Sequence, residues 1–508
     1  MRILLVQPAP FEPGRVGLEN TIWFCEPVAL TSIAAMVPDH EVRILDMRLE
    51  EDEALCRVLA EFQPDLVGTT SMTTDCYQAL AILETAKAML GDACFTIVGG
   101  HHPTLSPGDF DSDAVDALAI GEGEDTFREL VDHLSRGGGP RELDAIAGLR
   151  YRDEAGSLTF TAKRDQKRAL DEFPPPRRDL VARYQDEYFF TIAGPMASIV
   201  TSRGCSFDCN FCAIWEFYER KTRFLSARVM VDRMEAVAQK FIFFLDDNFL
   251  TNRRRLEEFC SEVERRGVKK YWGTQGRTDF IADNPDMMKR LRDAGLVMVL
   301  SGYESNDDDG LAALLKRGTV DKNRRAAQLL MDLGIFSTGI FMVRPEFDEQ
   351  DFDKLYAHIN ELGIALPMVS ILTPLPGTQL YRAREAELLT KDRRFYDLLH
   401  SVLPTKLPRR RFYERFAECN QATWAGWERA NTTVLKNRPQ FMLRSLPGIA
   451  RFLLRARRYR AILESAETHL RDEVGIIDPD IRLVAAPLDA TRRRLPVVER
   501  GGASREVA

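Results

Sequence analysis

The sequence predicts an α/β protein: a doubly wound, Rossmann-like N-terminal sheet, then a partial (β/α)6 barrel, then a helical C-terminal region. Three observations predict it. Short apolar strands alternate with helical stretches over residues 1–137, and a second alternation runs over 197–385. Between them, 138–196 is broken by glycine and proline and reads as a linker. Strict strand–helix alternation favours parallel sheets covered by helices. A chain of 508 residues also exceeds one hydrophobic core, so several domains are expected.

In the first region, strands are expected at 2–6, 42–45, 65–68, 95–98 and 115–120. Helices are expected over 26–36 and 51–61, then to about 90 and to about 134. Sheets of this kind bind ligands at the carboxyl ends of their strands. Ser71 and Thr73 follow the third strand, Gly99, Gly100 and His101 the fourth, and Gly121 and Gly123 the fifth. Small residues there let backbone approach a large ligand. No G-x-G-x-x-G follows the first strand, which argues against a dinucleotide. His101 and His102 are adjacent, and adjacent loop residues rarely point at one ion. Arg48 ends the loop after the second strand, where a solvated cation is the simpler reading.

Gly137-Gly138-Gly139-Pro140 stops the last helix of this region. A small hairpin is expected around Asp153-Glu154-Ala155-Gly156. Leu170 to Pro176 reads as a Pro-rich connector that spaces two domains rather than forming core.

Six strands are expected in the second region, at 198–201, 242–245, 271–274, 297–301, 337–343 and 368–373. In parallel barrels, chemistry sits at the C-terminal strand ends. The first strand is followed by Cys205, Cys209 and Cys212 at C-x-x-x-C-x-x-C spacing. Thiolates so close in sequence can wrap one small iron–sulfur cube and leave one iron open. A structural zinc site needs a fourth ligand, yet His101, His102 and His133 lie far upstream and Cys260 far downstream. A disulfide would leave one thiol over. Asp246 and Asp247 end the second strand, Arg277 follows the third, and Gly302 and Glu304 end the fourth. The two aspartates read equally as a cap on the following helix, and Arg277 equally as a salt-bridge partner.

Beyond 386 the sequence says least. Helices are expected at 395–399, 411–427 and 449–463, within a helical domain over 386–475, and 476–508 reads as a disordered tail. Pro404 to Arg460 carries 14 Lys and Arg against three Glu, inside a chain of net charge −8. The acidic remainder argues against nucleic-acid binding. Ile449, Phe452, Leu453 and Ala456 share one helix face, with Arg451, Arg455 and Arg458 off it. That pattern suits an anionic membrane surface, or a basic helix packed on the barrel. The start predicts no signal peptide, and no apolar run is long enough to span a bilayer. Nine cysteines, an odd count and scattered apart from the triplet, suit a reducing, cytoplasmic compartment.

Arg203-Gly204-Cys205-x-x-x-Cys209-x-Phe211-Cys212 resembles the cluster motif of the radical S-adenosylmethionine (SAM) superfamily, including the aromatic residue before the last cysteine. The resemblance covers roughly residues 1–400. Its N-terminal part looks like a cobalamin-binding domain. The layout is similar to class B radical SAM methyltransferases, to hopanoid methylases and to the anaerobic magnesium-protoporphyrin ester cyclase. This implies a 4Fe–4S cluster on Cys205, Cys209 and Cys212, with SAM on the open iron. Gly302-Tyr303-Glu304-Ser305 resembles the strand end that orients SAM, and Asp246 and Asp247 resemble an acidic pair that binds its ribose or the substrate. Arg277 would pair with a carboxylate of SAM or substrate. The loops at Ser71, Thr73, Gly99, Gly100, His101, Gly121 and Gly123 resemble those beside the corrin. Asp46-Met47-Arg48 departs from the D-x-H-x-x-G pattern, with Arg48 where a cobalt-binding histidine would stand, so no lower-face histidine is expected. Pro374 to Leu380 resembles the P-x-P-G-T-x-L turn, while Arg344-Pro345-Glu346 departs from the usual G-x-P-G-E.

The activity implied is reductive cleavage of SAM, hydrogen abstraction from an unactivated carbon, and methyl transfer from cobalamin. The substrate would be a small molecule or a lipid such as a hopanoid. The electron would come from a donor such as flavodoxin or ferredoxin. The basic C-terminal region would allow peripheral membrane contact. Two rivals stand beside this reading: oxidative ring closure of a porphyrin side chain, and a sensor without turnover.

Overall fold

The computed structural model describes residues 1–10, 23–423 and 465–473, apart from 140–141, 154–155, 157, 167 and 191–192, with isolated positions between 443 and 454. Eight strands precede the barrel: β1 (Arg2–Gln7), β2 (Trp23–Phe24), β3 (Glu41–Asp46), β4 (Leu66–Thr70), β5 (Phe95–Gly99), β6 (Ala117–Ala119), β7 (Leu149–Arg152) and β8 (Leu158–Phe160). Seven of them form one sheet in the order β3-β1-β4-β5-β6-β7-β8. The first five in that order are parallel. These strands are apolar along both faces because helices cover both: Ile3 and Leu5 face one core, Leu4 and Val6 the other. The strand order reverses between β1 and β4, so the ligand-binding crevice of such a sheet lies at their carboxyl ends.

The hairpin expected in the linker is β7–β8, and it extends this sheet antiparallel to β6. The reason is its period of two. Leu149 and Tyr151 turn inward and are buried, while Arg150 and Arg152 turn outward.

The chain then makes β9 (Phe189–Phe190), which pairs with β2, and β10 (Met196–Ile199). Next come β11 (Ser202–Arg203) and β12 (Arg223–Phe224), an antiparallel pair that brackets the cysteine loop. The remaining strands are β13 (Phe241–Phe244), β14 (Tyr271–Gln275), β15 (Leu296–Glu304), β16 (Phe336–Val343) and β17 (Leu366–Ile371). The six-stranded sheet runs β10-β13-β14-β15-β16-β17, all parallel. All six barrel strands expected from sequence are present.

The connector contributes core, contrary to its expectation as a spacer. Leu170 is buried among the helices outside the barrel. Further on, Val181, Tyr184, Tyr188, Phe189 and Phe190 fill a core that runs without a break from the first sheet to the barrel. Phe190 stacks on Phe243 at 4.2 Å and on Trp23 at 6.2 Å. Such ring pairs add about 0.5–1.5 kcal/mol each beyond burial. Glu26 fastens the same seam: its carboxylate accepts from Ser198 N at 2.5 Å and from Arg178 Nε at 3.0 Å. The helix expected from Glu26 accordingly begins at Val28.

At the C-terminal side, Arg409–Thr423 forms a helix whose Phe412, Tyr413 and Phe416 are buried. It packs on the helix Glu349–Leu362 and on the helix Ala466–Glu473. The short helix expected at 395–399 is a single 3-10 turn, Arg393–Phe395. Most of the basic helix expected at 449–463, and the tail 476–508, lie outside the described residues. Among the described residues no helix is long and apolar enough to cross a membrane.

Candidate active site

The cysteine loop is fixed from several sides. Asp246, fully buried at the end of β13, accepts from Thr201 N at 2.6 Å, Thr201 Oγ1 at 2.5 Å and Ser202 Oγ at 2.6 Å. Arg255 stands 3.6 Å behind it. Asp247 Oδ2 accepts from Gly204 N at 2.9 Å. Burial, then the neighbouring Asp246, pushes the Asp247 carboxyl up to about 6. Gly204 has φ 89, and a Cβ there would overlap the Lys221 carbonyl. Only glycine fits this close approach.

The three thiols are unbridged; Cys209 is buried and the others half-buried. Burial pushes the Cys212 thiol up to about 12 and raises that of Cys205, and each is raised further by its neighbouring cysteines. Among the described residues no three His, Cys, Asp or Glu side chains converge as a single-ion site would require. A four-iron cube is instead held by cysteine thiolates on separate irons, so this donor set fits one. Trp215 Nε1 donates to Cys209 O at 2.8 Å. Arg277 Nη1 lies 3.9 Å from Cys209 Sγ, and its guanidinium covers the Phe207 ring at 3.7 Å. Its other contacts are Asp279 and the Arg317 carbonyl. The structure therefore places Arg277 beside the cluster loop.

The end of β15 has a special backbone. Glu304 has φ 61, and the register with β16 shifts between Gly302 and Glu304. This bulge re-aims the Glu304 side chain. A Cβ on Gly302 would overlap the Glu304 carboxylate, so glycine here makes room for it. Lys316 Nζ donates to Glu304 Oε1 at 2.8 Å. Glu304 Oε2 is buried with no hydrogen-bond partner. A buried carboxylate oxygen left open suits an N–H or O–H donor on a ligand.

In the first domain, three loops are laced together. Ser71 N donates to Gly99 O at 2.9 Å, and His102 N to Ser71 O at 3.1 Å. Thr104 Oγ1 donates to Gly100 O at 2.8 Å and accepts from Gly121 N at 2.9 Å. Gly100 has φ 110, and a Cβ there would meet Ser71 O and Thr70 Oγ1 at 2.8 Å. Ser71 Oγ bonds Met72 O and Asp75, while Thr73 Oγ1 bonds His102. The His101 ring packs at a tilt against Phe217, just past the cysteines, at 4.6 Å. Its Nε2 is buried without a partner, and burial pushes its pKa down to about 4. Arg48 lies elsewhere: its guanidinium is held by Asp46 at 2.7 and 2.8 Å, by Cys25 O at 3.0 Å, and by the Phe24 ring.

The glutamates of the Gly121–Glu124 loop carry a role that the sequence reading missed. Arg203, adjoining the cysteine motif, donates to Glu122 at 3.0 Å and also pairs with Glu124. Arg223 pairs with Glu122 as well. Burial works against the Arg203 charge, and the two glutamates more than offset it. The glycines of this loop had drawn attention, but nothing local marks the glutamates as partners of a residue 81 and 79 positions away. The turn at Pro374–Thr378 also meets the first domain, since a Cβ on Gly377 would press on Leu105. The Leu380 amide after it donates to Asn210 O in the cysteine loop at 2.9 Å. The strand-end loops of both domains thus meet around the cysteines.

Residues 199–359 match the Radical SAM superfamily, and residues 16–131 match the B12 binding domain. The chain is 29% identical to the hopanoid C-3 methylase of Methylococcus capsulatus, over 85% of this chain and 83% of that protein. It is 30% identical to an uncharacterized methyltransferase of Pyrococcus horikoshii, over 80% of this chain and 88% of that one. Its fold is similar to the cobalamin-dependent SAM radical enzyme OxsB, with TM-score 0.65 and 16% identity over 92% of this chain and 78% of that one.

Proposed function

The chain belongs to the B12-binding radical SAM enzymes, and from that premise we propose that it methylates an unactivated carbon of an apolar, polycyclic lipid of the hopanoid kind. One observation carries the reading most: Arg203, next to the cluster cysteines, is held by Glu122 and Glu124 of the first domain. The loops that would hold the corrin are thereby fixed against the loop that would hold the cluster. The hopanoid choice is supported by likeness to the Methylococcus capsulatus methylase.

Cys205, Cys209 and Cys212 would hold the 4Fe–4S cluster, and the loops at Ser71, Gly100–His101 and Gly121–Gly123 would hold cobalamin. When bound, the cluster with SAM supplies one-electron cleavage of a carbon–sulfur bond, and cobalamin supplies a transferable methyl group. An sp³ carbon without an acidic proton offers no nucleophile to ordinary methyl transfer, which is why such chemistry suits it. The protein's own residues bind, orient and exclude water. Glu304 Oε2, buried without a partner, would accept from the amino group or ribose of SAM, while Lys316 holds the other carboxylate oxygen. Asp246 keeps Thr201 and Ser202, and with them the start of the cysteine loop, in place. Asp247 does the same for the Gly204 amide. His101, unprotonated in its buried setting, packs the corrin-side loop against Phe217.

The enzyme would work in an oxygen-poor cytoplasm with a low-potential reductant. The test is anaerobic reconstitution with iron, sulfide and cobalamin, followed by lipid comparison of strains with and without the gene. A lipid one methyl group heavier in the gene-bearing strain supports the reading. Unchanged lipids, or a product changed by ring closure instead, would overturn it.

A further inference from the structure

We propose that the surface over Cys209 is the docking site for a small acidic electron-carrier protein of the flavodoxin or ferredoxin class. This rests on the enzyme reading above, which needs one electron for each SAM cleaved, and it adds where that electron enters.

The loop Ala313–Arg317 lies directly on the cysteine loop. Asn210 N donates to Leu314 O at 3.2 Å, and Asn210 Nδ2 to Ala313 O at 2.8 Å. At its crest Leu315 is 44% exposed, with φ 52. Two residues on, Arg317 is 69% exposed at its side chain; Arg220 and Lys221 are each 53% exposed, and Lys221 pairs with Glu219 at 3.1 Å. Arg317 lies 2.7 Å and Arg220 3.6 Å from the same oxygen of Asp208. Two guanidinium groups share one carboxylate, which leaves positive charge on a chain whose net charge is −8. Exposed ion pairs of this kind stabilise a fold by less than about 1 kcal/mol, so folding gives little reason for the pair of cations. An exposed apolar residue in a loop that also presents a guanidinium group, with a second guanidinium on the same carboxylate, suits a small, transient, charge-steered contact.

Both cations connect inward to Cys209. The Arg317 carbonyl accepts from Arg277 Nη2 at 2.7 Å, and Arg277 Nη1 reaches Cys209 Sγ at 3.9 Å. On the other side Arg220 covers the Trp215 ring at 4.9 Å, and Trp215 Nε1 donates to Cys209 O at 2.8 Å. The patch is thus separated from the cluster ligand by one side chain on each route. One electron leaves the reduced carrier and arrives at the cluster; the carrier is oxidised by one electron, and no atom or proton crosses.

Reduced flavodoxin is the probe, used with the reconstituted full chain. Its affinity for the wild type should fall as salt is raised, and Arg317→Glu with Arg220→Glu should weaken it about tenfold at low salt. SAM cleavage driven by titanium citrate should stay at the wild-type rate in that variant. Zero-length carbodiimide coupling of flavodoxin carboxylates to the wild type, mapped by mass spectrometry, should mark Lys221. Unchanged affinity in the variant, or coupling only at lysines remote from Lys221, overturns the proposal. If the charge reversals cost the protein its iron, the wild-type coupling map decides alone. A wild type that cleaves no SAM even with titanium citrate would instead defeat the enzyme reading, and the two failures are distinct.

Discussion

Asp246 and Asp247 reach the cysteine loop from inside the barrel, while Glu122 and Glu124 reach it from the first domain. The barrel pair accepts its short hydrogen bonds from uncharged donors, backbone amides and the hydroxyls of Thr201 and Ser202, with Arg255 standing 3.6 Å behind Asp246. The first-domain pair meets two arginines, Arg203 and Arg223, in a partly buried ionic network. Hydrogen bonds to backbone amides set the local path of the chain to a fraction of an ångström. Buried ion pairs gain little net stability after desolvation, but they penalise a mismatched docking heavily. The contrast teaches a division of labour. The barrel shapes the loop, and the first domain dictates where that loop sits relative to its own ligand end.

The harshest way to break this arrangement is to remove its object. Cys209→Ala should abolish cluster assembly, read as iron and sulfide content, and reduce 5′-deoxyadenosine release to background. Asp246→Ala should come next. It strands Arg255 and three donors in the core, and should lower unfolding free energy by about 3–5 kcal/mol in chemical denaturation. Glu124→Ala should cost less, about 1–3 kcal/mol, because Arg203 keeps Glu122. Its distinguishing sign should be faster proteolysis between the domains with iron content unchanged. If Glu124→Ala instead loses iron and Asp246→Ala does not, the division of labour is wrong.

Glu304→Gln sharpens the comparison with a third acid, proposed above to face SAM, whose Oε2 is buried without a hydrogen-bond partner. It should weaken SAM binding about tenfold in titration calorimetry and leave iron content intact. The smallest effect concerns a second joint between regions. Burial raises the Asp109 carboxyl, but hydrogen bonds from His102 and Arg393 outweigh this and hold it well below the usual carboxylate range. A folded pKa below the unfolded one means that this joint stabilises at pH above about 4 and loses that contribution as pH falls further. Asp109→Asn should remove that part of the acid dependence in thermal unfolding followed from pH 6 to pH 3.

Much of this was legible beforehand because it is coded by local pattern. Each barrel strand is a short apolar run between turn residues, and every one formed where that pattern lay. The cysteine spacing announced its chemistry for the same reason: three thiols within eight residues must share a loop. The Gly302–Glu304 motif was legible as a motif, though its bulge and left-handed glutamate were not. The connector was misjudged because prolines signal a spacer, whereas its Leu170 is buried in the core outside the barrel; farther along the linker, Phe190 found its partner in Phe243, 53 positions away.

The sequence alone determined the order of secondary elements, the cysteine loop and the kinds of groups at each strand end. Tertiary structure alone decided which charges meet. Glu26 bonds to Ser198 across 172 positions, and Glu124 to Arg203 across 79. Hydrophobic periodicity is a property of neighbours in the chain, so it can be read from the chain. A carboxylate carries no such address: any buried cation could satisfy it, and only the folded core determines which one is within reach.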